Sequence, residues 1–412
     1  MSINIGSQHA VHPWFTTKDD ELVVAGRKIS EITAQVGQTP YYVYDRSVMA
    51  RKVTLLRSTL PKGVHIHYAM KANPMPAVVQ YLANLTDGID VASGSEMQVA
   101  LDAGVSPARI SMAGPGKTDA ELARAAAAGI TINIESEREL AALVSFSSQT
   151  GRHAQVAIRV NPDFELKTSG MKMSGGPKQF GIDAERVPEV LRTLSQLPVK
   201  FHGFHIFSGS QNLRPEAIVE AQQKSVALAF ELAKFAPSPV RSLNIGGGFG
   251  IPYFAGESEL DLTPISENLA DLVTQVAKQL PQATLVLELG RYLVGEAGVY
   301  VSRIIDRKIS RGQVFLISDG GLHHHLAASG NFGQVVRKNY PVIIGNKVSG
   351  TTREIASVVG PLCTPLDLLA DRMQLAEAEA GDLVAVLQSG AYGYTASPLG
   401  FLSHPKPCEI LL

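Results

Sequence analysis

Lys71 closes the stretch Tyr68-Ala69-Met70-Lys71-Ala72-Asn73, at the end of an alternating apolar run that starts at Val64. The run reads as a strand, and Asn73-Pro74 stops it before a helical pattern begins. An ammonium group at the carboxyl end of a buried strand is costly without a partner. Such a lysine either snorkels to the rim or serves as a Schiff-base amine, tuned by burial and neighbouring cations. Three other features bear on the choice. Gly246-Gly247-Gly248-Phe249-Gly250 follows a later strand, where glycines let backbone N–H groups approach an anion. Ser210 and Arg291 could add a hydroxyl and a guanidinium to the same anion. Glu288 could form a salt bridge to Arg291 or Lys71, or hold a proton on a heterocyclic nitrogen.

The elements that must position these residues alternate. Apolar, β-rich runs occur at His65–Met70, Ile89–Ala92, Ile110–Ala113, Thr131–Ile134, Val156–Val160, Phe201–Phe207, Ser242–Ile245 and Leu285–Leu289. Amphipathic segments lie between them, which predicts parallel strands with right-handed crossovers. Eight runs over about 225 residues favour a (β/α)8 barrel above an open doubly wound sheet. The carboxyl ends of the strands then carry Lys71, Asp90, Gly114, Glu135, Arg159 with Asn161, Ser208 to Gln211, the glycine turn, and Glu288 with Arg291. Helix capping explains Asp90, and a rim ion pair with Glu135 explains Arg159. It does not explain eight polar or glycine-rich ends facing one mouth. A lysine, a phosphate turn and an opposed carboxylate together describe a pyridoxal phosphate site.

Beyond Gly295, strand-like runs at Val299–Val301, Gln313–Ile317, Ala356–Val359 and Leu383–Leu387 predict a mainly β domain, with helical periodicity only at Pro365–Ala370. The expected division is residues 1–38 as an arm and a strand joining the β domain, 39–292 as the barrel, and 293–412 as the β domain. Residues 1–20 read as a loose arm, and Gly170–Gly176 as a flexible loop placed where a lid could form. With 45% hydrophobic and 18% charged residues among 412, the chain reads as a soluble globular protein. A formal charge of -1 argues against nucleic acid or an anionic membrane as partner. Two cysteines, no signal-like N-terminus and no long apolar stretch lead to a cytoplasmic expectation.

These residues resemble a known family, the barrel-fold (alanine-racemase-like, fold-type III) pyridoxal-phosphate decarboxylases that include diaminopimelate and ornithine decarboxylases. The resemblance covers roughly residues 20–412. It rests on Tyr68 to Asn73, Asp90-Val91-Ala92-Ser93, Arg159-Val160-Asn161-Pro162, Lys178-Gln179-Phe180-Gly181, Gly209-Ser210-Gln211, Gly246 to Gly250, Glu288-Leu289-Gly290-Arg291, Gly360-Pro361-Leu362-Cys363 and Gly390-Ala391-Tyr392. Phe204-His205-Ile206-Phe207 and Asn331-Phe332-Gly333-Gln334 are similar to the branch associated with exosortase A systems. The resemblance implies that Lys71 carries the cofactor and that Glu288 binds the pyridine nitrogen. It implies that Ser210, Gly247, Gly248, Arg291 and Tyr392 hold the phosphate, that Arg159 lies near the ring hydroxyl, and that Asp90 and Gly290 also border the cofactor. It further implies a homodimer in which Cys363 enters the partner's site as the proton donor. Arg337 and Tyr340 stand, with altered spacing, where the family binds a substrate carboxylate.

Three departures qualify it. Phe207 replaces the histidine that stacks on the ring, while His205 lies one pleat earlier on the same strand face. Thr364 replaces the acidic residue that diamine-type members use for a distal ammonium, which points away from lysine and ornithine pathway substrates. Leu289 replaces a proline. The expected activity is therefore α-decarboxylation of an amino acid or of a derivatised or carrier-bound amino acid. Diaminopimelate decarboxylation proper is the alternative, as is an amino-acid racemase, although a carboxylate at Glu288 argues against racemases. A non-catalytic pyridoxal phosphate carrier would be a barrel alone. Cys408 reads as structural. His323-His324-His325 invites a metal reading, but adjacent strand side chains alternate in direction, so no metal site is expected.

Overall fold

The computed structural model describes residues 2–3, 8–10, 12–164, 171–172, 175–332, 334 and 337–412. The chain forms two compact units: residues 53–250 with 260–290, and residues 1–52 with 251–259 and 291–412.

The first unit is a closed barrel of eight parallel strands: Val64–Ala69, Gly88–Val91, Ile110–Met112, Thr131–Ile134, Ala154–Asn161, Val199–His205, Ser242–Gly247 and Thr284–Leu289. Closure comes from the last strand pairing with the first, from Leu285 opposite Val64 to Leu289 opposite Tyr68. Period-two alternation positions the side chains. Val64, Ile66 and Tyr68 are buried, whereas His65 is exposed and His67 half-buried. Each large apolar side chain so buried contributes roughly 1.5–3 kcal/mol. The intervening helices start where the sequence supplies caps. Ser93 accepts from Glu96 N, Ser136 accepts from Glu139 N, and Thr118 forms a capping box with Glu121.

In the second unit, the long strand Gly298–Ser310 is central. It pairs antiparallel with Gln313–Ser318, Leu383–Val386 and Tyr41–Tyr44. Val342–Ile344, Arg353–Val359, Leu368–Ala376 and Cys408–Leu411 complete an eight-stranded sheet. Three details differ from the sequence expectation. Tyr41–Tyr44, drawn with the barrel, belongs to this sheet; its four side chains are all buried, so the strand is covered on both faces. Pro365–Ala370 is not helical, because Leu368–Ala376 pairs with Arg353–Val359. Within the expected loose arm, His12–Lys18 is a strand beside Glu21–Val24, anchored by buried His12 and Phe15. The expected lid at Gly170–Gly176 falls partly outside the described residues.

Candidate active site

In the barrel, Lys71 sits on a tight turn, Met70–Ala72, directly after the first strand. Its Nζ donates to Glu288 Oε1 at 2.9 Å and lies 5.4 Å from the centre of the Phe207 ring. Glu288, 4% exposed on the last strand, also meets His205 Nε2 through Oε2 at 3.0 Å. Burial opposes the charge on Glu288. Lys71 and His205 together overcome it and hold the carboxyl well below the usual range. His205 and Phe207 thus have different neighbours: the histidine engages the acid, and the phenyl ring flanks the amine. Gly290 keeps this corner tight, since a Cβ there would come within 3.0 Å of Ala72 Cβ.

Opposite charges recur along neighbouring strands. His67 Nδ1 and Asp90 Oδ1 are 3.1 Å apart, and Ser111 Oγ donates to the same oxygen at 2.5 Å. Burial works against the charged form of His67, but Asp90 outweighs it and pushes the pKa up. Arg159 Nη1 meets Glu135 Oε1 at 2.7 Å, as the rim-pair reading expects, and its guanidinium lies 4.9 Å from the Phe180 ring centre. Glu135 also accepts from Gly114 N and Gly181 N. Behind it, buried Lys117 pairs with Glu139 at 3.0 Å. Lys117, His67 and Asn244 escaped the sequence reading. For His67 and Asn244 the available signal was a polar residue at an inward strand position, where a barrel normally carries Val, Ile or Leu; Lys117, on the loop before the helix Asp119–Ala128, carried no such mark.

At the glycine turn, Gly246 N donates to Asn244 Oδ1 at 2.8 Å. A Cβ on Gly247 would strike the Glu288 carbonyl, and one on Gly248, at φ +72°, would strike the Gly209 carbonyl. Ser210 is half-buried on the adjoining segment, whose backbone pairs with Met171.

In the second unit, Arg291 Nη1 donates to Tyr253 Oη at 2.7 Å, and its guanidinium lies 4.8 Å from the Tyr392 ring centre. Burial opposes its charge, but the phenol oxygens of Tyr253, Tyr340 and Tyr392 hold the guanidinium protonated. Its Nε is buried without a hydrogen-bond partner, and among the described residues no carboxylate pairs with it. Tyr392 adopts φ +54°, a conformation strained for a tyrosine. Tyr340 is buried, its ring 4.7 Å from that of Tyr253. Arg337 gives its donors to Ser329 O, Asn339 Oδ1 and Leu368 O. Cys363 is exposed and Thr364 half-buried on a turn tied down by Asp367, which accepts from Leu322 N and Leu362 N. The three consecutive histidines lie on a turn rather than the expected strand, with separate partners: Pro405 O for His324 and Ser389 Oγ for His325. Burial pushes His323, His324 and His325 down to about 3, 4 and 3.

Residues 46–295 match the pyridoxal binding domain of the pyridoxal-dependent decarboxylases. The chain belongs to this family. It is 38% identical over 390 residues to the L-glutamyl-[BtrI acyl-carrier protein] decarboxylase of Niallia circulans, covering 93% of this chain and 91% of the relative. It is 33% identical over 404 residues to the diaminopimelate decarboxylase of Aquifex aeolicus, covering 97% and 93%. The structure of the M. jannaschii diaminopimelate decarboxylase in complex with L-lysine superposes with a TM-score of 0.86 at 25% identity, covering 97% and 93%. The chain is thus a pyridoxal-phosphate-dependent decarboxylase of amino acids or their derivatives. The barrel residues suit the cofactor: an amine beside a buried acid, and a glycine turn at Gly246 to Gly248 with no side chain standing between its backbone N–H groups and an anion. Among the described residues, no helix is long and apolar enough to cross a membrane.

Proposed function

We propose that the enzyme removes the α-carboxylate of an amino acid whose distal end is derivatised or attached to a carrier protein. Lys71 would hold the cofactor through its amine, which its hydrogen bond to Glu288 positions at the barrel mouth. Glu288, kept ionised with the help of His205, holds a proton at the pyridine nitrogen. Bound pyridoxal phosphate supplies the sink for the electron pair left when carbon dioxide departs. Ser210, Gly247, Gly248, Arg291 and Tyr392 hold the phosphate, Gly290 keeps the Lys71 corner close, and Asp90 and Arg159 border the ring. Replacing carboxylate by hydrogen consumes one proton at the α-carbon. In a homodimer, Cys363 of the partner subunit gives that proton from its thiol.

The observation that carries the substrate assignment is the turn after Cys363. Thr364 offers no charge, and the next acid, Asp367, is buried and spent on two backbone N–H groups. A free distal ammonium there would have no counter-ion. The 38% identity to a decarboxylase named for a carrier-bound glutamyl substrate supports the same reading. The likeness to diaminopimelate decarboxylases favours the second reading, free meso-diaminopimelate. Carbon dioxide release should be measured with free glutamate, meso-diaminopimelate, lysine and ornithine beside acylated and carrier-bound amino acids. The proposal expects the highest kcat/KM with a derivatised or carrier-bound substrate, and a higher value with any free diamino acid overturns it.

A further inference from the structure

The barrel interior has a second polar space at the opposite, amino-terminal mouth. It is a cavity of about 240 Å³ whose wall includes His65, His67, Arg109, His202 and Arg241. Among the described residues, no Asp or Glu contributes to that wall. The nearby carboxylate of Asp87 is taken by Arg57 at 2.7 Å and by Ile66 N at 2.7 Å. Arg109 is fixed by donating to the carbonyls of Asp87, Ala83 and Thr86, which orient the guanidinium without neutralising it. Arg241 is exposed, and its charge reaches His202, whose pKa burial and Arg241 together push down. A guanidinium is a permanent cation in proteins, so a cavity lined by two of them favours an anion. Small residues, Ala157, Ser111 and Ser242, stand where bulky aliphatic side chains usually fill a barrel, which leaves the space open. The floor of the cavity touches the catalytic end. His67 pairs with Asp90, and Asn244 accepts from Gly246 N in the glycine turn.

We propose that this amino-terminal mouth binds a small multivalent oxyanion, a phosphate or a polycarboxylate, held by Arg241 and Arg109 with His65 and His202 as hydrogen-bond donors. Two unneutralised guanidinium groups in a walled cavity attract a dianion more strongly than a halide, because the second charge and the extra oxygens are both used. An anion that binds only the folded chain raises its stability by mass action. This site is independent of the substrate assignment above.

The test uses cofactor-loaded, desalted enzyme, so that the glycine turn is already filled. Inorganic phosphate and citrate are titrated by calorimetry at ionic strength held constant with sodium chloride. The expected result is saturable binding of at least one of them at one site per chain, weakened by roughly tenfold or more in Arg241→Gln and retained in Arg241→Lys. Thermal unfolding under the same conditions should show an anion-dependent rise in Tm in the parent and in Arg241→Lys but not in Arg241→Gln. Arg241 is exposed, so neither substitution removes a packed group. Absence of saturable binding of either anion in the parent, or equal affinity in Arg241→Gln, overturns the proposal.

Discussion

The two mouths of the barrel follow opposite electrostatic rules. At the carboxyl mouth the charged groups face partners: exposed Lys71 and buried His205 on buried Glu288, Arg159 on Glu135, half-buried His67 on Asp90, Lys117 on Glu139. At the amino mouth two arginines face a cavity whose wall, among the described residues, holds no carboxylate. Buried pairs like those at the carboxyl end add little net stability, since desolvation offsets most of their attraction. Their value is orientation: each group is held in one place before substrate arrives. Unneutralised cations suit a ligand that brings its own charge.

Breaking the pairs at the carboxyl mouth should have graded consequences. The largest is expected from Lys71→Ala, which removes the amine itself. Carbon dioxide release should fall by more than roughly 10⁴-fold, and the visible absorbance of lysine-bound cofactor should vanish. An unchanged band would remove Lys71 from its role. Cys363→Ala should leave that band intact while lowering kcat by about 10²- to 10⁴-fold, the usual worth of a positioned proton donor. Equal rates in mutant and parent would take the thiol out of the mechanism.

The smallest effect concerns His67. Its pKa is raised in the folded state, so its pairing with Asp90 contributes fully below the ordinary value of 6.5 and is lost as pH rises through the elevated one. Thermal unfolding across that window should show the parent losing stability relative to His67→Gln, on the order of a few degrees in Tm. Parallel curves would contradict the pairing.

How much of this was visible in the sequence depends on which force decides each feature. The eight strands were legible because short apolar runs alternate with amphipathic ones, and burial enforces that pattern. Lys71, Glu288 and the glycine turn were legible because strand ends converge on one mouth. The pairs His67–Asp90 and Lys117–Glu139 were not, since the fold brings together residues more than twenty apart in sequence; Asn244 was not, since its contact to Gly246 N exists only once the turn has formed. Tyr41–Tyr44 was drawn with the wrong unit because an all-buried strand carries no mark of which sheet it joins. The turn carrying His323 to His325 was misread because adjacent polar residues have no periodicity to reveal a turn.

The central claim is that one amine at the carboxyl mouth holds the cofactor. Borohydride reduction of the purified enzyme, followed by peptide mass mapping, tests it directly. The account predicts a reduced pyridoxyl group on the peptide containing Lys71 and on no other lysine. Its appearance on Lys117 or a surface lysine, with Lys71 unmodified, would contradict the account.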